Sequence, residues 1–565
     1  RASLTLGKIQ GHPDGYGFLI PDDGSADIFL DQHQMGKALH GDRALVRVTG
    51  IDRKGRPEGG IVEVTERANT RVIGRVLVEH GVVFVVPENK RIAQDILVSV
   101  DKKSKIKPVA GQVVMVDIIE QPSKFSKPIG QITEVLGNYA DPGMEIEIAL
   151  RKHDLPFEFS KAALEENKEL PDKVKKTDLK GREDLREIPL VTIDGETARD
   201  FDDAVFCEKS GRGWRLVVAI ADVSHYLKPG MALDKEAMDR GNSVYFPRRV
   251  IPMLPEKLSN GICSLNPDVE RMAMVCDMEI SAAGKIGKYR FYPAVFKSKA
   301  RLTYNQVWSW LSGEAKPESE IHSALQPQLK NLYKLFQTLH KAREQRGAID
   351  FETTETQMLF NEQGKIENIV PVVRNDAHRV IEECMLAANV CASDFLAEHK
   401  QVCLYRVHAA PSEEKLRNLR TFLGEFGMAL SGGDDPKAKD YALLLEKVKL
   451  RPDFQLLQTV MLRSLKQAMY SPDNVGHFGL AYEHYTHFTS PIRRYPDLLV
   501  HRAIKAVLAK QTYTPVSSWD DIGLHCSATE RRADEATRDV ENWLKCFFMK
   551  ERIGEEFDGT ISAVT

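Results

Sequence analysis

Short alternations of apolar and polar residues dominate the first 66 positions. Leu6 to Ile9, Tyr16 to Ile20, Ile28 to Leu30 and Arg43 to Thr49 read as strands, stopped by His12-Pro13-Asp14-Gly15, Asp22-Asp23-Gly24 and His40-Gly41-Asp42. Strands this short between tight turns predict a small all-β barrel. The pattern returns more weakly from about 70 to 138, in Gly74 to Leu77, Val82 to Pro87, Asp95 to Val98 and Gln112 to Ile119. From 139 to 187 the periodicity dissolves into Lys and Glu, with one helix expected over Lys161 to Glu169. Beyond 188 the chain turns mixed α/β. The run Trp214 to Asp222 predicts a buried strand paired with Ala204 to Cys207 across Ser210-Gly211-Arg212-Gly213. Val380, Ile381, Cys384, Met385 and Ala388 recur at helical spacing and predict a helix over Asn375 to Lys400, while Arg346 to Phe351 is expected to lead a strand.

These changes divide the 565 residues into barrels at 1–68 and 69–138, a connecting arm at 139–187, a large α/β domain at 188–554 and the start of another unit at 555–565. Apolar content of 42% and charged content of 28% describe a soluble globular protein. No apolar run approaches a membrane span and no signal peptide is visible. The first residue is Arg rather than Met, as expected of a processed or truncated chain. Eight scattered cysteines without a CxxC pair argue against zinc and a disulfide framework, and fit a reducing cytoplasm. The net charge of −3 decides little about nucleic acid, because a deep channel can be positive inside an acidic surface.

Chemistry concentrates in two clusters. Asp194, Asp200, Asp202 and Asp203 fall within ten residues between apolar flanks. Asp-rich loops are commonly solvated turns, but carboxylates at the edge of a core call for a cation, and hard oxygen ligands without His or Cys select Mg²⁺, with Mn²⁺ as the alternative. His225 is expected to be a packed histidine rather than a ligand. The second cluster, Gly476 to Arg502, alternates aromatics and histidines (Phe478, Tyr482, Tyr485, Phe488) and then reads Thr489-Ser490-Pro491-Ile492-Arg493-Arg494. A serine cap followed by proline predicts a helical start, with Pro496 as the alternative beginning of the longer helix. Either would place Arg493 and Arg494 near exposed N–H groups, where an arginine fork clamps phosphate. Glu382 and Glu383 lie beside the apolar stripe of their helix; an ion pair of Glu383 with Arg379 and a functional role are about equally supported.

Gly15-Tyr16-Gly17-Phe18-Leu19 followed by Asp27-Ile28-Phe29-Leu30 resembles the aromatic motifs of cold-shock domains, an OB-type fold in which strand aromatics stack on bases. By that resemblance Tyr16, Phe18 and Phe29 contact RNA, although one of the two phenylalanines is expected in the barrel core. The second barrel retains mainly Phe84 and would hold RNA through Lys102, Lys103, Lys105 and Lys107. The aspartate cluster, Ala219 to Tyr226, Gly241 to Pro247 and Ile251 to Pro255, taken in order, resemble the catalytic domain shared by ribonuclease II, ribonuclease R and the exosome nuclease, the RNB exoribonucleases. Arg493 to Asp497 and Gly15 to Leu19 tip the resemblance towards the ribonuclease R branch. Phe557 to Thr565 looks like the first strand of an S1 barrel, and the family's N-terminal helix-turn-helix region and basic tail are absent.

The resemblance implies a processive 3′ to 5′ exoribonuclease that releases 5′-mononucleotides by a two-metal mechanism. It makes Asp194, Asp200, Asp202 and Asp203 the metal-binding aspartates and Arg493 the grip on the scissile phosphate. Tyr245 and Phe351 are the stacking aromatics, with Phe246 in place of Tyr245 if the alignment slips by one. Glu535 steadies the substrate's end, and Glu383 is an acidic residue near the centre. Expected partners are single-stranded RNA, RNA with a 3′ single-stranded overhang, and transient RNA-decay or ribosome-associated proteins, with the enzyme a cytoplasmic monomer. A ribonuclease II-like enzyme confined to single strands, an RNA-binding pseudoenzyme and a metal-dependent DNA nuclease remain the alternatives.

Overall fold

Strands β1 (Leu4–Gly11), β2 (Gly17–Pro21), β3 (Ile28–Leu30), β4 (Arg43–Ile51) and β5 (Pro57–Glu66) close into a barrel in the order β1-β2-β3-β5-β4. A second barrel follows, from β6 (Arg71–Glu79), β7 (Val82–Pro87), β8 (Ile96–Val98), β9 (Gln112–Glu120) and β10 (Ile129–Asn138), in the order β10-β8-β7-β6-β9. The computed structural model describes residues 4–52, 55–99, 106–352, 355–559 and 561. It resolves two units: residues 1–156 with 358–368 and 535–553, and residues 157–357 with 369–534 and 554–565.

Each barrel has a closing strand that the apolar pattern does not reveal. β5 contains Gly59 and Gly60, and β10 contains Gly130 and Gly137, among charged residues that weaken a strand signal. Gly59 and Gly130 are there for space. A Cβ on Gly59 would sit 2.5 Å from Val46 Cγ1, and one on Gly130 would sit 2.2 Å from Val116 Cγ1, so the small barrels close only with bare backbone at those points. Both closures are parallel pairings, β3 with β5 and β8 with β10.

The first barrel's core is Ile9, Leu19, Ile28, Leu30, Ala44, Val46 and Ile61. Because side chains alternate along a strand, Phe18 and Phe29 point outward, and neither is a core residue, contrary to the expectation for one of them. They pair directly across β2 and β3 with ring centroids 5.7 Å apart, and Tyr16 lies 5.9 Å from Phe18 and 5.7 Å from Phe29. The Arg56 guanidinium stands 5.2 Å from each phenylalanine ring. Lys107 is exposed, whereas Lys102, Lys103 and Lys105 lie outside the described residues. Helix Met144–Lys152 belongs to this unit, and helix Lys161–Glu169, capped by Ser160, to the other.

In the second unit β11 (Glu183–Asp184), β13 (Asp203–Ser210), β14 (Gly213–Ala221), β17 (Glu270–Ile280) and β18 (Ile286–Lys297) form a sheet ordered β11-β18-β17-β14-β13. Between them in sequence come β12 (Thr192–Asp194) and the hairpin β15 (Val244–Phe246) and β16 (Arg249–Ile251). β19 (Arg301–Thr303) then pairs in parallel with β12. The continuous apolar run of β14 is explained by burial on both faces. Leu216, Val218 and Ile220 pack with helices Glu320–Arg346 and Asp376–Glu398, while Val217, Ala219 and Ala221 pack with Leu233, Leu498 and Leu499. Helix Asp376–Glu398 starts where the pattern predicts, with Asn375 accepting from the Ala377 N–H. No strand begins at 346–351: helix Glu320–Arg346 ends there at Gly347, whose φ of 82° only glycine adopts readily.

Residues 555–559 carry no strand, and Thr560 and 562–565, where most of the expected S1 strand would fall, lie outside the described residues. Among the described residues no helix is long and apolar enough to cross a membrane, and the eight cysteines are free thiols.

The inward and outward faces of the first barrel differ in what they contribute to stability. Leu30→Ala is expected to destabilise the barrel by about 2–5 kcal/mol, and Phe29→Ala by well under half of that, read as the shift of the barrel's urea unfolding midpoint.

Candidate active site

Three backbone junctions of the second unit converge on one cavity of about 1040 Å³. At the first, β12 ends at Asp194 and the chain crosses to β13, which opens at Asp203. The crossing loop is fastened rather than floppy. Arg301 donates to the carbonyls of Gly195 (3.5 Å), Glu196 (2.6 Å) and Ala198 (3.3 Å). Phe201 is buried, and its N–H donates to Ser264 Oγ at 3.0 Å. Asp194, Asp200, Asp202 and Asp203 all line the cavity as a result.

The second junction is the turn at 490–494. Arg494 N–H donates to the Ser490 carbonyl, and the helix proper runs Tyr495–Leu508 with Pro496 in its first turn, so the later of the two predicted starts is the observed one. Buried Asp497 holds the turn, its Oδ1 accepting from Ser490 N–H and from Arg494, both at 2.8 Å. Arg494 is thereby tied to the turn although it also borders the cavity, while Arg493 extends into it, 42% exposed, with Nη2 donating to Ser490 Oγ at 3.0 Å. Ile492 N–H donates to Asp202 Oδ1 at 2.9 Å, and Arg493 Nε stands 3.7 Å from Asp202 Oδ2.

The third is the β15–β16 hairpin. Phe246 is buried and Tyr245 is 41% exposed into the cavity, so of the two aromatics the sequence leaves open, Tyr245 is the one that lines it. Its hydroxyl donates to Asp200 Oδ2 at 2.8 Å. Tyr304, Asn389 and His487 also line the cavity and were not singled out in the sequence. His487 sits inside the Gly476 to Arg502 cluster, but Tyr304 and Asn389 lie on helices with no local signal. Tyr304 stacks on His378 with centroids 4.0 Å apart, and Asn389 braces the 485–488 segment by donating to the Tyr485 hydroxyl and accepting from Phe488 N–H. Phe488 is a buried packing residue, and Tyr485, also buried, lines the cavity as well.

Other expected site residues fall elsewhere. Phe351 and Glu383 line a second hollow with Arg343, Asp350 and Arg374, and Glu382 is common to both linings. Glu383 does not pair with Arg379. Arg343 Nη1 reaches it at 3.0 Å from the neighbouring helix, and Arg379 faces Asp376 instead. Glu535 is exposed on helix Trp519–Lys550, in the stretch that belongs to the barrel unit. His225 is packed as expected, between Arg182 and Asp178.

The aspartates are electrostatically uncomfortable. Burial pushes the Asp202 carboxyl well above the usual carboxylate range against the pull of Arg493, and raises Asp194 as well. Burial and the nearby Asp194 push Asp203 up to about 7. Asp202 Oδ2 is buried and has no hydrogen-bond partner. Among the described residues, no three acidic, imidazole or thiol side chains close into a cage, so the four aspartates form an open array on the cavity lining. Such an array fits a hard cation of the Mg²⁺ kind, which keeps several waters and takes one or two carboxylates together with substrate phosphate.

Residues 182–510 match the RNB domain model, residues 7–64 the Ribonuclease B OB domain and residues 84–160 the Cold shock domain. Ribonuclease R of Vibrio cholerae is 50% identical over all of this chain and 70% of its own length. The chain belongs to the ribonuclease R family. Mycoplasma genitalium RNase R in complex with ribose methylated single-stranded RNA superposes with a TM-score of 0.93 at 28% identity, covering 99% of this chain and 89% of that one. The same relative in complex with double-stranded RNA gives 0.84 at 29%, covering 91% and 92%. Family membership makes this chain a 3′ to 5′ exoribonuclease, an RNA-binding hydrolase, and RNB exoribonucleases depend on a metal.

Burial of Asp203 has a pH signature. Between the ordinary carboxylate range and about 7 the unfolded chain is already ionised while the folded chain still holds the proton. The folded state binds more protons, so this residue's contribution to stability is present at low pH and lost as pH rises through 7. In EDTA, Asp203→Asn should therefore melt at a higher temperature than the parent at pH 8, and the difference should vanish towards pH 4.

Proposed function

We propose that this chain degrades RNA processively from the 3′ end, releasing 5′-mononucleotides at the aspartate cavity with Mg²⁺ bound by Asp194, Asp200, Asp202 and Asp203. The observation that carries this reading is the bare Asp202 Oδ2, buried beside Arg493 on the wall of a cavity that three more aspartates share. A pair of Mg²⁺ ions held there would generate hydroxide at neutral pH and neutralise the leaving oxygen of an in-line displacement.

The protein's own groups set the rest. Ser490 and the 490–494 turn aim the Arg493 fork so that its exposed N–H groups meet the scissile phosphate and the charge that grows on it. Tyr245 offers an open ring face for a nucleotide near the cut. Phe351 would receive another in the hollow that shares Glu382 with the cavity. Glu383 acts through Arg343, and Glu535 steadies the substrate's end as the family resemblance implies. The outward-facing, half-buried triad of Tyr16, Phe18 and Phe29 with Arg56 supplies a stacking platform on the first barrel. RNA with a single-stranded 3′ overhang is the proposed substrate, and the relative solved with double-stranded RNA supports action on structured RNA. A cytoplasmic monomer completes the reading.

End-labelled RNA digested in Mg²⁺, with products resolved by size, tests direction, step length and processivity together, and EDTA should abolish cleavage. Asp202→Asn should slow turnover by at least ~10³, about 4 kcal/mol of barrier, while RNA binding persists. Undiminished turnover would remove Asp202 from its role. Phe18→Ala with Phe29→Ala should weaken binding of single-stranded RNA by about tenfold in a filter-binding titration, at 1–3 kcal/mol per stacked base as the upper range.

A further inference from the structure

We propose that Tyr245 is a positioning residue for Asp200, in addition to offering its ring to a nucleotide, so that the cation site and the stacking platform are one mechanical piece. The inference rests on the proposed function of the aspartate cavity and concerns an atom that stacking does not use. Asp194 and Asp202 each take a backbone N–H, from Gly195 at 2.7 Å and from Ile492 at 2.9 Å. Asp200 takes the Tyr245 hydroxyl, at 2.8 Å to Oδ2. Asp200 lies in irregular backbone between β12 and β13, so its carboxylate direction depends on what holds the side chain.

The hairpin that carries Tyr245 is well fixed. Val244 and Phe246, on either side, are buried. Ser243 N–H donates to the Arg493 carbonyl at 2.9 Å, and Ser243 Oγ accepts from Met253 N–H at 2.8 Å. A hydroxyl donated from this support fixes the carboxylate's rotation and engages one lone pair of Oδ2. Oδ1 and the remaining lone pair then stay directed at the cavity. Outer hydrogen bonds of this kind orient cation ligands and typically control affinity or activity by 10–100-fold. Because the same hairpin backbone meets Arg493, any shift of the ring by an arriving nucleotide moves Asp200 and the phosphate clamp together.

The test separates the hydroxyl from the ring. Tyr245→Phe keeps the stacking surface and removes the donor. It should lower kcat about tenfold or more with KM for single-stranded RNA within twofold. It should also weaken Mn²⁺ binding to the RNA-free 565-residue chain at least fivefold by calorimetry, and leave RNA affinity in EDTA unchanged. Parental kcat and Mn²⁺ affinity in Tyr245→Phe, with Asp200→Asn inactive, would overturn the proposal alone. A rise in KM with unchanged kcat would also overturn it, because that pattern belongs to stacking. Full turnover by Asp200→Asn would instead sink the assignment of Asp200 to the cation, and the positioning role with it.

Discussion

A carboxylate oxygen buried without a hydrogen bond beside a guanidinium is the constraint on which the second unit turns. Asp202 Oδ2 has no donor, and Arg493 Nε, at 3.7 Å, is too distant to be one. An ionised oxygen so placed is costly, and the compensation has to be positive charge brought to a fixed point. The surrounding hydrogen bonds make that point fixed. Ile492 N–H clamps the other Asp202 oxygen, Asp497 clamps the turn that supplies Ile492, and Arg301 clamps the loop that supplies Asp200. Each clamp is itself buried or fastened to a strand, so the strain at one oxygen is borne by rigid backbone.

That rigidity begins in the sheet. β14 is packed on both faces, and β13, hydrogen-bonded to it residue for residue, starts at Asp203 opposite Ile220. Close-packed interiors resist small displacements, so the first residues of β13 inherit the precision of the core. The chain enters this edge from β12, which is paired in parallel with β19, and Arg301 on β19 then returns to hold the crossing loop. The carboxylates therefore stand where packed strands become loop, which allows side chains to face solvent while their backbone does not move.

Much of this was legible because burial leaves a period. The alternation in Phe18-Leu19 and Ile28-Phe29-Leu30 marks two barrel strands, the two-sided run of β14 marks a central strand, and the spacing of Val380 to Ala388 marks the helix behind it. The closing strands escaped because tight closure demands glycine, which carries no period and reads as a breaker. The alternation also shows that both phenylalanines face out only once the barrel's inside is known. At the site, residue types were visible and partners were not. Glu383 sits one helical turn from Arg379, yet pairs with Arg343 forty residues away, because a buried carboxylate needs a donor inside the core and Arg379 is on the solvent side. Tyr304 and Asn389 reach the cavity through tertiary packing alone.

The arginine pair shows why a motif understates its own division of labour. Read as a string, Arg493 and Arg494 form one phosphate clamp. In the fold Arg494 is anchored to Asp497 by a 2.8 Å bond and serves the scaffold even though it too borders the cavity, while Arg493, 42% exposed against 20%, is the one that extends into it. The Arg493 fork is divisible. Nη2 is committed to Ser490 Oγ while Nε points towards Asp202, and the remaining N–H groups stay available to an incoming phosphate. A lysine offers three donors at one point and cannot be anchored, balance a buried carboxylate and reach a phosphate along separate directions. The planar fork is thus what lets one residue join the turn and the aspartate wall and, in the proposed role, still offer donors to a substrate, and it follows that the geometry of Ser490 is as much part of the site as any charge in it.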